Sequence, residues 1–208
     1  MKQRAIPISQ LSKQRFRGLE FEGPWADALG QPEITGAWLI WGNSGNGKTR
    51  FALQLAKYMC RFGRVAYNSL EEGASLSFQR AVDAVDFTPV SRRMIVLDKE
   101  PVHELIARLK RQKSPDIIII DSVQYTGLKY QDYISLRDTF RRKLFILVSH
   151  ADGKLPEGRV AKSIRYDAMV KVWVEGYVAY PVSRYGGGQP YVIWEEGSQQ
   201  FYQNTEQQ

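Results

Sequence analysis

Gly42, Gly47, Lys48 and Thr49 stand in the run WGNSGNGKTR, residues 41–50, with the glycines five positions apart and the lysine and threonine directly after the second. Glycines at that spacing let the backbone curl until several N–H groups face inward and form a nest for an anion. A lysine placed there reaches the outer phosphates of a nucleoside triphosphate, and a threonine hydroxyl reaches a magnesium ion. The pattern therefore points to a triphosphate held by Gly42, Asn43, Ser44, Gly45, Asn46, Gly47, Lys48, Thr49 and Arg50. Hydrolysis would need two more groups, a carboxylate beside the metal and a base for the attacking water. Asp121, which closes the run DIIIID, offers the first, so Thr49 and Asp121 are the expected metal partners. Glu71 and Glu72, in SLEEG, offer the second. Glu71 is assigned the water, and Glu72 the complementing of a helix N-terminus. Asp116 opens DIIIID, falls at the opposite sheet edge and is read as structural.

These residues need a frame that brings them together. AWLIW (37–41) is a short apolar run before the phosphate loop. Lys48 to Phe62 carries Ala52, Leu55, Ala56 and Met59 at helical spacing, with Gly63 as a stop. The alternation continues with a strand at 64–70, a helix from Ala74 to Val85, a strand at 94–98 and a helix from Val102 to Lys110. DIIIID (116–121) reads as a central strand covered on both faces. A helix from Tyr130 to Arg142 and a strand at 144–149 follow. This predicts an α/β fold: a mostly parallel central sheet with helices on both faces, its carboxyl edge carrying the site. After Asp167 the pattern alternates apolar and polar without a helix signal, which predicts an antiparallel hairpin extension. Residues 1–35 are expected to form a strap anchored by Phe21 and Trp25, residues 36–200 the domain, and residues 201–208 a flexible tail. Trp38 and Trp41 are assigned to the core.

Composition bounds the function. The chain has 208 residues and a formal charge of +7, which suits one domain and permits a polyanionic partner. Cys60 is the one cysteine and sits among apolar residues, so no internal disulfide is possible and a cytoplasmic setting is expected. No apolar run approaches the ~20 residues of a membrane span, and MKQRAIPISQ is read as lacking a signal-peptide core. His103 is expected to be exposed. Arg137, Arg141, Arg142 and Lys143 form a basic cluster, read as either a second phosphate track or a charged outer face.

GNSGNGKT, YNSLEEG, IIIIDSVQ and LFILVSH, taken together, resemble the RecA-type P-loop ATPase superfamily, in the branch of DnaB-like, RadA-like and KaiC-like proteins. The resemblance covers roughly residues 36–197. It implies a RecA-like fold, ATP and Mg²⁺ as cofactors, Glu71 as catalytic base beside Lys48 and Asp121, and His150 as a sensor of the terminal phosphate. VSRYGGG (182–188) resembles a hairpin that carries a basic finger into a neighbouring subunit. Arg184 fits its arginine and Val182 departs from its lysine, which implies a homo-oligomer, ring or filament, activated by assembly or by DNA. The family's DNA-contacting loops correspond to segments holding Lys129, Lys154, Arg159, Lys162 and Arg165, flanked by Tyr125 and Tyr130, and imply single-stranded DNA or another nucleic acid as partner. The function implied is ATP hydrolysis in DNA replication, recombination or repair. The alternatives are a KaiC-like regulatory ATPase with a protein partner and, behind it, a small-molecule kinase.

Overall fold

The four consecutive isoleucines of DIIIID lie at the centre of the molecule, each fully buried, in the computed structural model that describes residues 5–205. In chain order the elements are α1 (Ile8–Leu11), α2 (Pro24–Leu29), β1 (Gly36–Gly42), α3 (Lys48–Met59), β2 (Val65–Ser69), α4 (Leu76–Val85), β3 (Met94–Asp98), α5 (Val102–Leu109) and β4 (Ile117–Asp121). They continue with α6 (Tyr130–Thr139), β5 (Leu144–Asp152), β6 (Leu155–Pro156), α7 (Gly158–Asp167), β7 (Val170–Glu175), β8 (Val178–Ser183), β9 (Tyr191–Val192) and α8 (Glu195–Thr205). Short 3₁₀ turns cover Thr88–Arg93 and Val123–Tyr125.

Among the described residues the main sheet runs β3-β2-β4-β5-β1-β7-β8-β9, and β6 pairs with β5. The strands from β3 to β7 are parallel, and β8 and β9 add antiparallel to that edge. Strand periodicity of two divides the core. Trp38, Ile40, Tyr67, Ile117 and Ile119 face the layer of α3, α4 and the N-terminal segment. Leu39, Trp41, Ile118 and Ile120 face the layer of α5, α6 and α7. The expected α/β architecture, parallel sheet and antiparallel C-terminal hairpin are all present.

Both ends of the chain differ from expectation in detail. Phe21 and Trp25 are buried, and Trp25 stacks between Tyr58 and Tyr191, but packing begins only at Leu19 and residues 5–18 are exposed. The segment after Asp167 is not helix-free, because α8 forms from Glu195 and continues to Thr205 through the stretch expected to be loose from residue 201. Its signal is hidden by Gly197 in the first turn. A Cβ there would come within 2.2 Å of the Trp194 ring, so packing excludes a better helix former. Residues 206–208 of that expected tail lie outside the described residues.

Candidate functional site

Register places the two halves of the site on one rim. Gly42, the last residue of β1, pairs with His150, while Asp121, the last residue of β4, pairs with Val148 of the same strand β5. Both therefore lie at the carboxyl rim, two residues apart in height. Glu71 follows β2 on that rim and is drawn toward Asp121. The Asp121 carbonyl accepts from the Leu70 N–H at 2.6 Å and the Glu71 N–H at 3.1 Å. The outcome is a recess of about 330 Å³ lined by Lys48, Thr49, Glu71, Asp121 and Tyr177, among others. Other recesses are larger, one of about 480 Å³, so chemistry and not size marks this one.

The phosphate loop owes its shape to particular contacts. Gly47 has φ +96°, and a Cβ there would come within 2.8 Å of the Tyr177 ring. A Cβ on Gly42 would come within 2.2 Å of the Val174 carbonyl oxygen. Tyr177 and Gly176 form the two-residue turn between β7 and β8, both with positive φ, as a type I′ hairpin requires. That turn clasps the loop: the Gly176 N–H donates to Asn46 Oδ1 at 2.8 Å and the Tyr177 N–H to the Asn46 carbonyl at 3.1 Å. Trp194 backs Tyr177 edge-on at 5.1 Å, and the Arg50 guanidinium lies over the Trp194 ring at 4.9 Å. Gly176, Tyr177 and Trp194 escaped the sequence reading. The Gly-Tyr turn between alternating segments was the available signal, but its contact with Asn46 spans 130 residues of chain.

Charge is concentrated beneath the loop. Lys48 Nζ donates to the Asn43 carbonyl at 2.9 Å, and burial lowers its pKa against the pull of Asp121 and Glu71. Burial pushes the Asp121 carboxyl up to about 6, although the Tyr67 hydroxyl donates to it at 2.6 Å. A buried carboxylate beside a threonine is an all-oxygen donor pair of the kind a hard divalent cation takes, with phosphate oxygens and water completing the set. Among the described residues no cluster of three or more histidine, cysteine, aspartate or glutamate side chains forms a cage of its own. The residues thus fit Mg²⁺ brought with a triphosphate.

The two glutamates separate clearly. Glu72 accepts from Ser77 Oγ at 2.5 Å, in the first turn of α4. Glu71 meets His150 Nε2 at 2.8 Å, and His150 Nδ1 lies 3.3 Å from Glu157. Gln124 ties this group together: its Oε1 accepts from the His150 N–H at 3.3 Å, and its Nε2 donates to Ser149 Oγ and to the Glu157 carbonyl.

Arg184 lies elsewhere. β8 runs away from the loop, and the Arg184 N–H donates to the Met169 carbonyl at the opposite rim. VSRYGGG is not a projecting hairpin. It is the link between β8 and β9 and is wedged against the turn after α2, where a Cβ on Gly30 would come within 2.2 Å of the Tyr185 carbonyl oxygen. The basic segment 151–167 is likewise not a free loop but mostly the strand β6 and the helix α7, which buries Ala161 and Ile164. Arg159, Lys162 and Arg165 around those positions disguised the helical period. Lys162 lies 3.4 Å from Asp152, and Arg165 lies over Trp41 at 5.4 Å. Lys129, Lys154 and Arg159 are exposed. Asp116 accepts from the Arg64 N–H at the far rim, and burial pushes the Cys60 thiol up to about 11. Trp38 and Trp41 are core residues, and His103 is exposed.

No family model matches the chain, and no curated protein matches it. Solved structures do. The flagellar accessory protein FlaH from Methanocaldococcus jannaschii shares 17% identity over 84% of this chain and 92% of that one, with a TM-score of 0.61. A KaiC-like protein from Pyrococcus horikoshii OT3 shares 18% identity over 76% of this chain and 85% of that one, with a TM-score of 0.57. No helix among the described residues is long and apolar enough to cross a membrane. By topology and these likenesses, the chain has a RecA-like α/β fold.

Proposed function

We propose that this chain is a Mg²⁺-dependent ATPase whose turnover is coupled to a partner. The observation that supports this most is the meeting of Lys48, Thr49, Glu71 and Asp121 around one recess at the rim where the phosphate loop opens. In this reading the loop amides and Lys48 hold the β- and γ-phosphates, and Thr49 and Asp121 hold the metal. Mg²⁺ supplies charge neutralisation at the phosphate oxygens when bound. Glu71 takes the proton from water as its oxygen bonds to the γ-phosphorus and the bond to the β-phosphate oxygen breaks. His150 holds Glu71 in place and passes its position to Glu157, at the start of α7. Glu72 caps α4. Removing the base should cost about 10²–10⁴ in rate. Glu71→Gln is therefore expected to bind ATP normally and lose at least about 100-fold in turnover, while Glu72→Gln stays within a few-fold. Equal turnover for Glu71→Gln and wild type would remove Glu71 from this role.

Two partner classes remain in the proposal. Exposed Lys129, Lys154 and Arg159 with half-exposed Tyr125 at the carboxyl rim favour nucleic acid, in replication, recombination or repair. The likeness to a KaiC-like structure accords equally with a protein partner. Stimulation of turnover by single-stranded DNA supports the first, and its absence supports the second. An assembled homo-oligomer, with Arg184 serving a neighbour's site, belongs to the same proposal.

A further inference from the structure

The rim opposite the phosphate loop carries a second set of charges. In a parallel sheet each strand is entered from this rim, and the sheet order makes β3, β2, β4 and β5 consecutive neighbours. The four entry segments read SRR (91–93), RFGR (61–64), KRQKSPD (110–116) and RRK (141–143). They hold ten lysines and arginines and one acid, Asp116. The chain's other 19 lysines and arginines are outnumbered by its 22 aspartates and glutamates, so the net charge of +7 resides in this row. Helices α3, α5 and α6 end at the same rim, and their dipoles account for about one cation each. Ten is well beyond that need.

The row is exposed and partly tied down. Apart from half-buried Lys143, all ten are exposed, and among the described residues only Arg61 has an ion-pair partner, Glu22. Internal bonds go to backbone carbonyls instead: Arg93 Nη1 donates to the Cys60 carbonyl at 3.0 Å and Arg64 to the Lys113 carbonyl. These bonds tie neighbouring entry segments together and, apart from Glu22 beside Arg61 and Asp116 beside Arg64 and Lys143, leave the positive charge unpaired. A recess of about 450 Å³ lined by Arg61, Thr88, Ser91, Arg92 and Arg93 opens beside them.

We infer that this rim binds the phosphate backbone of double-stranded nucleic acid without reading sequence. Seven of the ten are arginines, which match phosphate oxygens bidentately. At about 4.8 Å per strand, four strands set a row about 14 Å wide. A duplex carries about eight phosphate charges over that length of axis, comparable with the ten cations. The four segments expose no large apolar side chain, which removes both the stacking platforms that single strands use and the apolar anchor that lipid binding needs. The inference concerns a face away from the ATP site and stands independently of the ATPase reading.

The test is fluorescence anisotropy of the full chain with a labelled random-sequence DNA duplex, without nucleotide and at several salt concentrations. Neutralising four positions, Arg92→Gln, Arg93→Gln, Arg141→Gln and Arg142→Gln, should weaken binding at least tenfold at low salt. It should also make the log–log salt slope shallower by about 0.9 for each phosphate that is no longer neutralised. The matching Arg→Lys variant should keep most of the affinity, which separates charge from fold, and the two double variants serve if the quadruple one misfolds. Unchanged binding by the Gln variants overturns the inference. So does a loss seen only in Lys129→Glu, Lys154→Glu and Arg159→Glu, or binding to phosphatidylserine vesicles with none to duplex.

Discussion

Asp121 holds a buried carboxyl at the centre of the site. Its carboxyl is pushed up to about 6 from an ordinary 3.8, chiefly by burial, so the folded chain binds its proton more tightly than the unfolded chain does. The stability tied to this group is fully present below pH 3.8 and lost as pH rises through about 6. A displacement of that size corresponds to roughly 3 kcal/mol. Asp121→Asn keeps an oxygen acceptor for the Tyr67 hydroxyl and removes the charge. In metal-free protein it should be more stable than wild type at pH 8, by up to roughly 3 kcal/mol, with the gap closing toward pH 4. Denaturant midpoints across that range measure this, and a gap that does not change with pH would contradict it. The position of Asp121 was legible from sequence because a buried isoleucine run ending in aspartate has few readings. The Tyr67 hydroxyl beneath it was not, because tyrosine in a strand reports only a pleated, half-buried surface.

At the level of elements, the alternating strands and helices from Gly36 to Val148 were legible because each apolar run has one period and a clear stop. Helix α7 was not, because Arg159, Lys162 and Arg165 interrupt the apolar stripe that Ala161 and Ile164 continue. The clasp between the β7–β8 turn and the phosphate loop was invisible because it depends on long-range pairing. Its consequence is testable. Asn46→Ala removes the acceptor for the Gly176 N–H and frees the loop to wander. Loss of one such bond costs about 1 kcal/mol of stability, and the freed loop should bind ATP several-fold more weakly. Titration calorimetry on both proteins checks it, and unchanged affinity would show that the loop keeps its shape without the clasp.

For the whole molecule, the sheet has two rims with different residues. The carboxyl rim gathers the phosphate loop, both glutamates and Asp121, and the other gathers Arg184 and the row of cations. Arg184 cannot reach its own phosphate loop across the sheet, so any part it plays in hydrolysis needs a second copy. Arg184→Ala should then bind ATP like wild type with turnover at least about tenfold lower. Mixing it with Lys48→Ala should restore part of the activity, because mixed assemblies contain sites with both groups intact. No recovery on mixing would contradict a shared site. The most direct measurement is calorimetric titration of ATP into wild type, Lys48→Ala and Asp121→Asn, with and without magnesium. Wild type is expected to bind ATP more tightly with magnesium, Lys48→Ala to lose binding, and Asp121→Asn to lose the magnesium dependence. Wild-type protein that ignores ATP, or Asp121→Asn with magnesium dependence intact, would contradict the account.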